Sequence, residues 1–247
     1  MKKTLYNILF VLFLLPFLLL TVWSFAENWR YPQLVPQQFT TAHWAMFFHN
    51  NQGSISLSFL LSTSIALSVT TLGFFVSKTV KKHEKSNYLL QLAYFPYSFS
   101  PVVYAFCTYF LFLKSGLCGT FLGVWVAQFM LAFPFVILLF SSHWTTDLYD
   151  MESLVRTLGG STWQAMIKVI LPMSKNILLL AFFQTFLISW FDYGIVLVIG
   201  IGKINTLIIS NYQYINEANV YLAAIASLIT LLPPLFFLWL NKRLLLY

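Results

Sequence analysis

Phe121–Ser141 reads FLGVWVAQFMLAFPFVILLFS, a run without a single charge. A helix crosses the hydrocarbon core of a bilayer with about 20 apolar residues, so this run reads as a membrane span. Five more runs qualify: Leu5–Ala26, Ile55–Val76, Tyr88–Leu113, Asn176–Ile199 and Val220–Leu240. The expected fold class is an all-α integral membrane protein with six transmembrane helices, forming one domain over residues 1–247. Composition agrees. Hydrophobic residues make up 59% of the 247 residues and charged ones 9%, against about 25% charged in soluble domains. So few charges cannot cover a water-facing surface.

Orientation follows from the basic residues on alternate sides of the spans. Lys2, Lys3, Lys78, Lys81, Lys82, Lys85, Arg156, Lys168, Lys175, Lys242 and Arg243 fall on one side, and Arg30, Lys114 and Lys203 on the other. The first side is expected to be cytoplasmic, with both termini there. The net charge of +7 is thus an orientation signal in short clusters, not a nucleic-acid stripe. Residues 5–26 exceed the apolar core of a signal peptide, and Trp23 and Trp29 read as an interfacial belt. The first span is therefore expected to be retained. Two cysteines make no disulfide framework, and Cys107 is expected to be a small buried hydrophobe.

Within the spans, Ser54, Ser58 and Ser62, then Ser64 and Ser68, recur four apart. Small residues at that spacing let helices pack closely in lipid; the alternative is a polar pathway lining. Pro96, Pro101 and Pro134 are expected to kink or open their helices.

The loop between spans four and five reads DLYDMESLVRTLGGSTWQAMIKVILP over Asp147–Pro172. Leu148, Met151, Val155 and Leu158 recur at helical spacing, predicting a short amphipathic helix. Thr146 is placed to cap it, and Asp147 and Asp150 complement its dipole. Gly159 and Gly160 end it. Ser161 or Thr162 starts a second helix through Trp163, Met166, Ile167 and Ile170, which Pro172 is expected to terminate. A helix–Gly–helix elbow with one apolar face suits a partner's groove or a headgroup layer.

The stretch from Arg156 to Pro172 resembles the EAA loop of the inner-membrane components of binding-protein-dependent ABC importers, the MetI-like permeases. Their pattern is Glu-Ala-Ala, three residues, Gly, nine residues, Ile, one residue, Leu-Pro. Gly159, Leu171 and Pro172 fit, Val169 replaces Ile, and Gly-x-Ser/Thr-x-Trp-Gln also matches around Trp163. Ser153, Leu154 and Val155 stand where Glu-Ala-Ala would be, with Glu152 the nearest acid.

The resemblance implies a permease subunit in a bacterial inner membrane, with a MetI-like core at about 54–241 preceded by the span 5–26. It implies that the elbow is a coupling helix seated in a separate ATPase. Glu152, Arg156, Leu158, Gly159, Gly160, Trp163, Leu171 and Pro172 would be the contact and bend residues, and Leu148 and Met151 would add contact area. Implied partners are a second permease (identical or related), two ATPase subunits, an extracytoplasmic substrate-binding protein and lipid.

No phosphate loop is present, since Leu197 stands where the glycine upstream of Gly202-Lys203 is needed. ATP and Mg are accordingly expected on the partner, with no cofactor on this chain and no enzymatic site. Asp192, the one acid inside a span, reads as a pathway residue with Tyr193, or as a structural pair or helix break. His43 and His49 are poorly spaced for a metal, and Asp147, Asp150 and Glu152 lack the motif of a phosphotransfer site. A carrier or channel acting without an ATPase is the rival reading. Thiamine, ferric iron, polyamines and oxyanions are the loosely suggested solutes.

Overall fold

The computed structural model describes the backbone of residues 2–29, 33, 35–83 and 86–245, and the side chains of these except 2–10 and 241–245. Arg30 and Lys85, and the side chains of Lys2, Lys3, Lys242 and Arg243, fall outside the described residues.

The helices are α1 (Lys2–Phe25), α2 (Ala42–Lys82), α3 (Ser86–Tyr94), α4 (Pro101–Lys114), α5 (Phe121–Ser141), α6 (Thr146–Thr157), α7 (Thr162–Ala165), α8 (Leu171–Met173), α9 (Lys175–Trp190), α10 (Gly194–Gly200), α11 (Leu207–Asn216) and α12 (Val220–Leu245). A 3-10 turn, Phe95–Ser98, follows α3, and a π-helical turn, Met166–Ile170, joins α7 to α8. A two-residue antiparallel ladder pairs β1 (Ala26–Glu27) with β2 (Gln38–Phe39). The fold is all-α and multi-pass.

Among the described residues three helices are long and apolar enough to cross a membrane: Ala42–Lys82, Phe121–Ser141 and Val220–Leu240. Two bent pairs raise this to five if each is one span, and Val11–Phe25 is a shorter apolar helix. Two of the expected spans are broken, the third where Pro96 and Pro101 were expected to kink or open it. The third bends by 99° between Ser98 and Pro101. There Pro101 opens α4, and Ser100 Oγ accepts the Val103 N–H at 3.4 Å. The fifth ends at Trp190 and restarts at Gly194. Pro134, by contrast, lies inside a continuous α5.

The expected loops shrink too. Residues 42–53 begin α2, and α11 occupies much of 200–219. Cys107 is exposed rather than buried.

The chain divides into two compact units. One comprises Met1–Ser58 and Asn205–Leu238. Here Asn51 Nδ2 donates to the Phe47 carbonyl at 3.0 Å and lies 2.6 Å from Tyr214 Oη, and the His43 ring stacks on Tyr221 at 4.9 Å. The serine repeat is used in a specific way. Thr206, at the start of α11, makes no side-chain cap. Instead Ser58 Oγ accepts the Leu207 N–H at 2.7 Å, and Ser210 lies 3.3 Å from Ser54.

The other unit comprises Phe59–Ile204 and Trp239–Tyr247. In it α2 and α5 touch closely at Gly73, where a Cβ would come within 2.6 Å of Val136 Cγ1. Trp125 Nε1 donates to Ser64 Oγ at 3.1 Å, adding a polar tie to the same pair.

Removing the Ser58 hydroxyl strands a buried backbone donor, which costs about 1–3 kcal/mol. Ser58→Ala is therefore expected to lower the unfolding temperature of the detergent-solubilised chain by several degrees, whereas Ser56→Ala, at an exposed hydroxyl, leaves it unchanged.

Candidate functional site

Residues 142–175 form a helical excursion between α5 and α9. Thr145 precedes α6 without a side-chain bond, so the expected capping by Thr146 is absent; Asp147 in the first turn supplies the favourable charge. At the far end the Gly160 N–H reaches back to the Val155 carbonyl and the Gly159 N–H to that of Arg156, with Gly159 at φ +83°. This is the left-handed helix stop that glycine alone adopts without strain. Gly160 is required for space instead, since a Cβ would meet Val155 Cγ1 at 2.6 Å and its carbonyl oxygen at 2.9 Å.

Ser161 opens α7 with a reciprocal capping box. Its Oγ accepts the Gln164 N–H at 3.2 Å, while Gln164 Oε1 accepts the Ser161 N–H at 2.9 Å.

Pro172 does not end this second helix. Its ring lacks the N–H an α-turn would use. The preceding turn widens, with the Leu171 N–H bonding the Met166 carbonyl five residues back, and the helical path continues to Met173. The axis then turns by 72° into α9 at Ser174, which is fully buried and 2.7 Å from His143 Nε2.

The apolar face predicted for α6 divides. Leu148 is buried at 5% exposure and Val155 is half-buried. Met151, Leu154 and Leu158 point outward, Leu158 at 80%. Glu152, expected on the contact face, turns inward: it is 7% exposed and paired with Lys78 Nζ at 2.8 Å. The reason is local. Lys78, on the last turns of α2, also lies over the Trp144 ring at 5.7 Å, and Trp144 Nε1 donates to Ser77 Oγ at 2.8 Å. One turn further along α2, Lys82 covers the Tyr149 ring at 4.7 Å. One face of α6 is thereby clamped to α2. Trp163 is 65% exposed and Leu171 41%. Arg156, Gly159 and Pro172 are exposed and Gly160 half-buried.

The second polar centre is the break at Phe191–Tyr193. Asp192 is buried; its Oδ2 accepts from Gln128 Nε2 at 2.6 Å and its Oδ1 from the Ile195 N–H at 3.2 Å. Ser189 Oγ donates to Gln128 Oε1 at 2.7 Å. The carboxylate thus caps α10, where the positive end of the helix dipole favours it. Gly194 lets α10 lie against α4, its Cβ position being 2.7 Å from Val102 Cγ2. A cavity of about 410 Å³, lined by Pro101, Leu131, Ile188, Asp192, Tyr193 and others, opens beside the break. The break was one of the open alternatives for Asp192. Gln128, the lone amide in an uncharged span, was the available signal for its partner.

These features define a multi-pass helical membrane protein with a structured helical excursion between α5 and α9. The family model for the binding-protein-dependent transport system inner membrane component matches residues 69–245, and the chain belongs to that family. It is a membrane permease component of the ABC type, a family that works with an ATPase and a substrate-binding protein. No curated protein matches the chain.

Burial holds His143 below its ordinary value of 6.5, so its folded-state affinity for protons is lower than in the unfolded chain. Stability from neutral His143 is therefore fully present above about pH 7 and is lost as pH falls from the ordinary histidine value down through the lowered folded one. The thermal stability of the purified chain is expected to fall between about pH 7 and 5.5 by more than that of His143→Gln.

Proposed function

We propose that the chain is the permease half of an ATP-driven, binding-protein-dependent importer in a bacterial inner membrane. Six spans place both termini and the 146–172 segment in the cytoplasm. Two permeases, identical or related, assemble with two ATPase subunits that carry ATP and Mg, and the substrate-binding protein docks on the opposite face near residues 27–53 and 200–219. The α6–α7 elbow is the coupling element.

The observation that carries this reading is the outward apolar ridge of the elbow, with Leu158 80% and Trp163 65% exposed, Arg156 on its rim, and the opposite face of α6 fixed to the chain's own α2. Exposed apolar surface built on rigid backbone, beyond what a lone surface residue shows, suits a partner's groove. Gly159, Gly160, Leu171 and Pro172 shape the ridge. Glu152 contributes from beneath it. In the pathway, Asp192 has its carboxylate occupied by Gln128 and by the α10 N-terminus. Its part is to hold the helix break open beside the cavity, with Tyr193 at the cavity wall.

The test is gentle extraction of the tagged chain from native membranes with and without a vanadate–nucleotide trap. An ATPase subunit is expected to co-purify, and its yield to fall at least about tenfold, about 1.4 kcal/mol or more of lost affinity, in Leu158→Asp/Trp163→Asp that still inserts. A chain that runs without an ATPase and moves solute without ATP overturns the proposal in favour of a carrier.

A further inference from the structure

In the pattern this chain resembles, the acid of the first elbow helix belongs at position 153; here Ser153 stands there and Glu152 lies one place earlier. One residue along a helix rotates a side chain by about 100°. That rotation moves the carboxylate from an exposed flank shared with Asp150 and Thr157 to the face of Leu148, four residues before it.

What Glu152 meets there is a built site. Lys78 Nζ lies 2.8 Å from its Oε1, and the two side chains are only 14% and 9% exposed. The lysine is held in turn by the Trp144 ring, and the ring by Ser77 of α2. Tyr149, one turn before Ser153, stacks on Trp144 at 6.1 Å and receives Lys82. On this face of α6 the Glu152 carboxylate and the Tyr149 ring are both engaged with α2 or with the Trp144 turn. Within the same unit α2 is locked to α5 at Gly73, with no side chain between the Gly73 backbone and Val136.

We propose that Glu152 and Lys78 form a strut that makes α6 and the end of α2 one rigid lever. The acid of this elbow acts inside the permease and not toward the ATPase. Lys78 and Glu152 are positioning residues: displacement of the exposed ridge is handed to α2 through the ion pair, in addition to the covalent route through α7, α8 and the turn at Ser174. The proposal rests on the coupling reading given above. It also assigns the ATPase-facing surface a chemistry, an apolar ridge with Arg156 as the nearest exposed cation and no carboxylate from position 152.

The experiment uses the complex purified from membranes, with spin labels at Ser153→Cys on α6 and Thr71→Cys on α2 in a Cys107→Ser/Cys118→Ser chain. Vanadate trapping with ATP and Mg is expected to leave the α6–α2 distance distribution of the otherwise unaltered chain unchanged. In Glu152→Gln and in Lys78→Met the ATPase subunit still co-purifies, while the trapped distribution broadens at least about twofold, as expected when one rigid body becomes two. The exchanged pair Lys78→Glu/Glu152→Lys restores the narrow distribution.

A distance that shifts on trapping in the otherwise unaltered chain, or stays narrow in both single variants, overturns the strut. Loss of the ATPase from Glu152→Gln alone also overturns it, because the acid then acts at the partner. If no ATPase accompanies the unaltered chain, the coupling reading itself has failed and the strut falls with it, an outcome visible before any variant is measured.

Discussion

A backbone N–H inside a bilayer has no water to bond, and each one left unpaired costs several kcal/mol. Helix starts are therefore the expensive points of this chain, and it has many of them. The same device recurs at five of them. A short polar side chain accepts the N–H three residues ahead: Ser100 from Val103, Thr120 from Gly123, Ser161 from Gln164, Asp192 from Ile195 and Asn219 from Leu222. Where the local residue fails, as Thr206 does before α11, Ser58 of α2 supplies the acceptor instead.

Asp192 is the costly version of that device. A carboxylate accepts more bonds than a hydroxyl and responds to the dipole of α10, but it brings a charge into a buried place. Gln128 and Ser189 form the chain of donors that makes the burial tolerable, Ser189 to Gln128 and Gln128 to Asp192. A serine cap would need no such escort. The arrangement ties α5, the end of α9 and the start of α10 at a single point. Gly194 permits α4 to close on it at Val102. The bend of the fifth apolar run is thus a fixed feature with a cavity on its flank, and not a loosely wound stretch.

Hydropathy found the apolar runs because burial in lipid is an average over some 20 residues. For the same reason a hydropathy average does not show the break in the fifth run, whereas Pro96 and Pro101 marked the bend of the third. Phe191 and Tyr193 surround Asp192 with apolar bulk, so a window cannot see the three residues where the helix stops. The opposite error occurred at residues 42–53, where His43, His49, Asn50, Asn51 and Gln52 read as a loop. They are helical because polarity decides what a helix faces, not whether it forms, and Asn51 finds Tyr214. In the elbow, the glycine stop and the Ser161 cap were legible because each is a local backbone requirement. Pro172 misled because a π-turn absorbed it. The inward face of α6 was not legible, because its partners Lys78 and Trp144 come from other segments, although Leu148 and Glu152 at i and i+4 already shared a side.

The exposed side of α6 is organised by the same local rules. Leu158 follows the last turn of α6, held outward by the left-handed Gly159, and Trp163 stands in the first turn of α7, fixed by the Ser161–Gln164 box. Leaving such side chains uncovered forgoes up to about 1.5–3 kcal/mol each of burial energy. A flexible loop would fold them back to recover it. Here the turn bonds, the spatial demand of Gly160 against Val155 and the pairing of the opposite face with α2 all oppose that collapse. The backbone that presents these two side chains is already ordered in the folded chain, so a partner that covers them gains their burial against the loss of side-chain freedom alone. Rigidity on one face of α6 and exposure on the other are consequences of the same clamp.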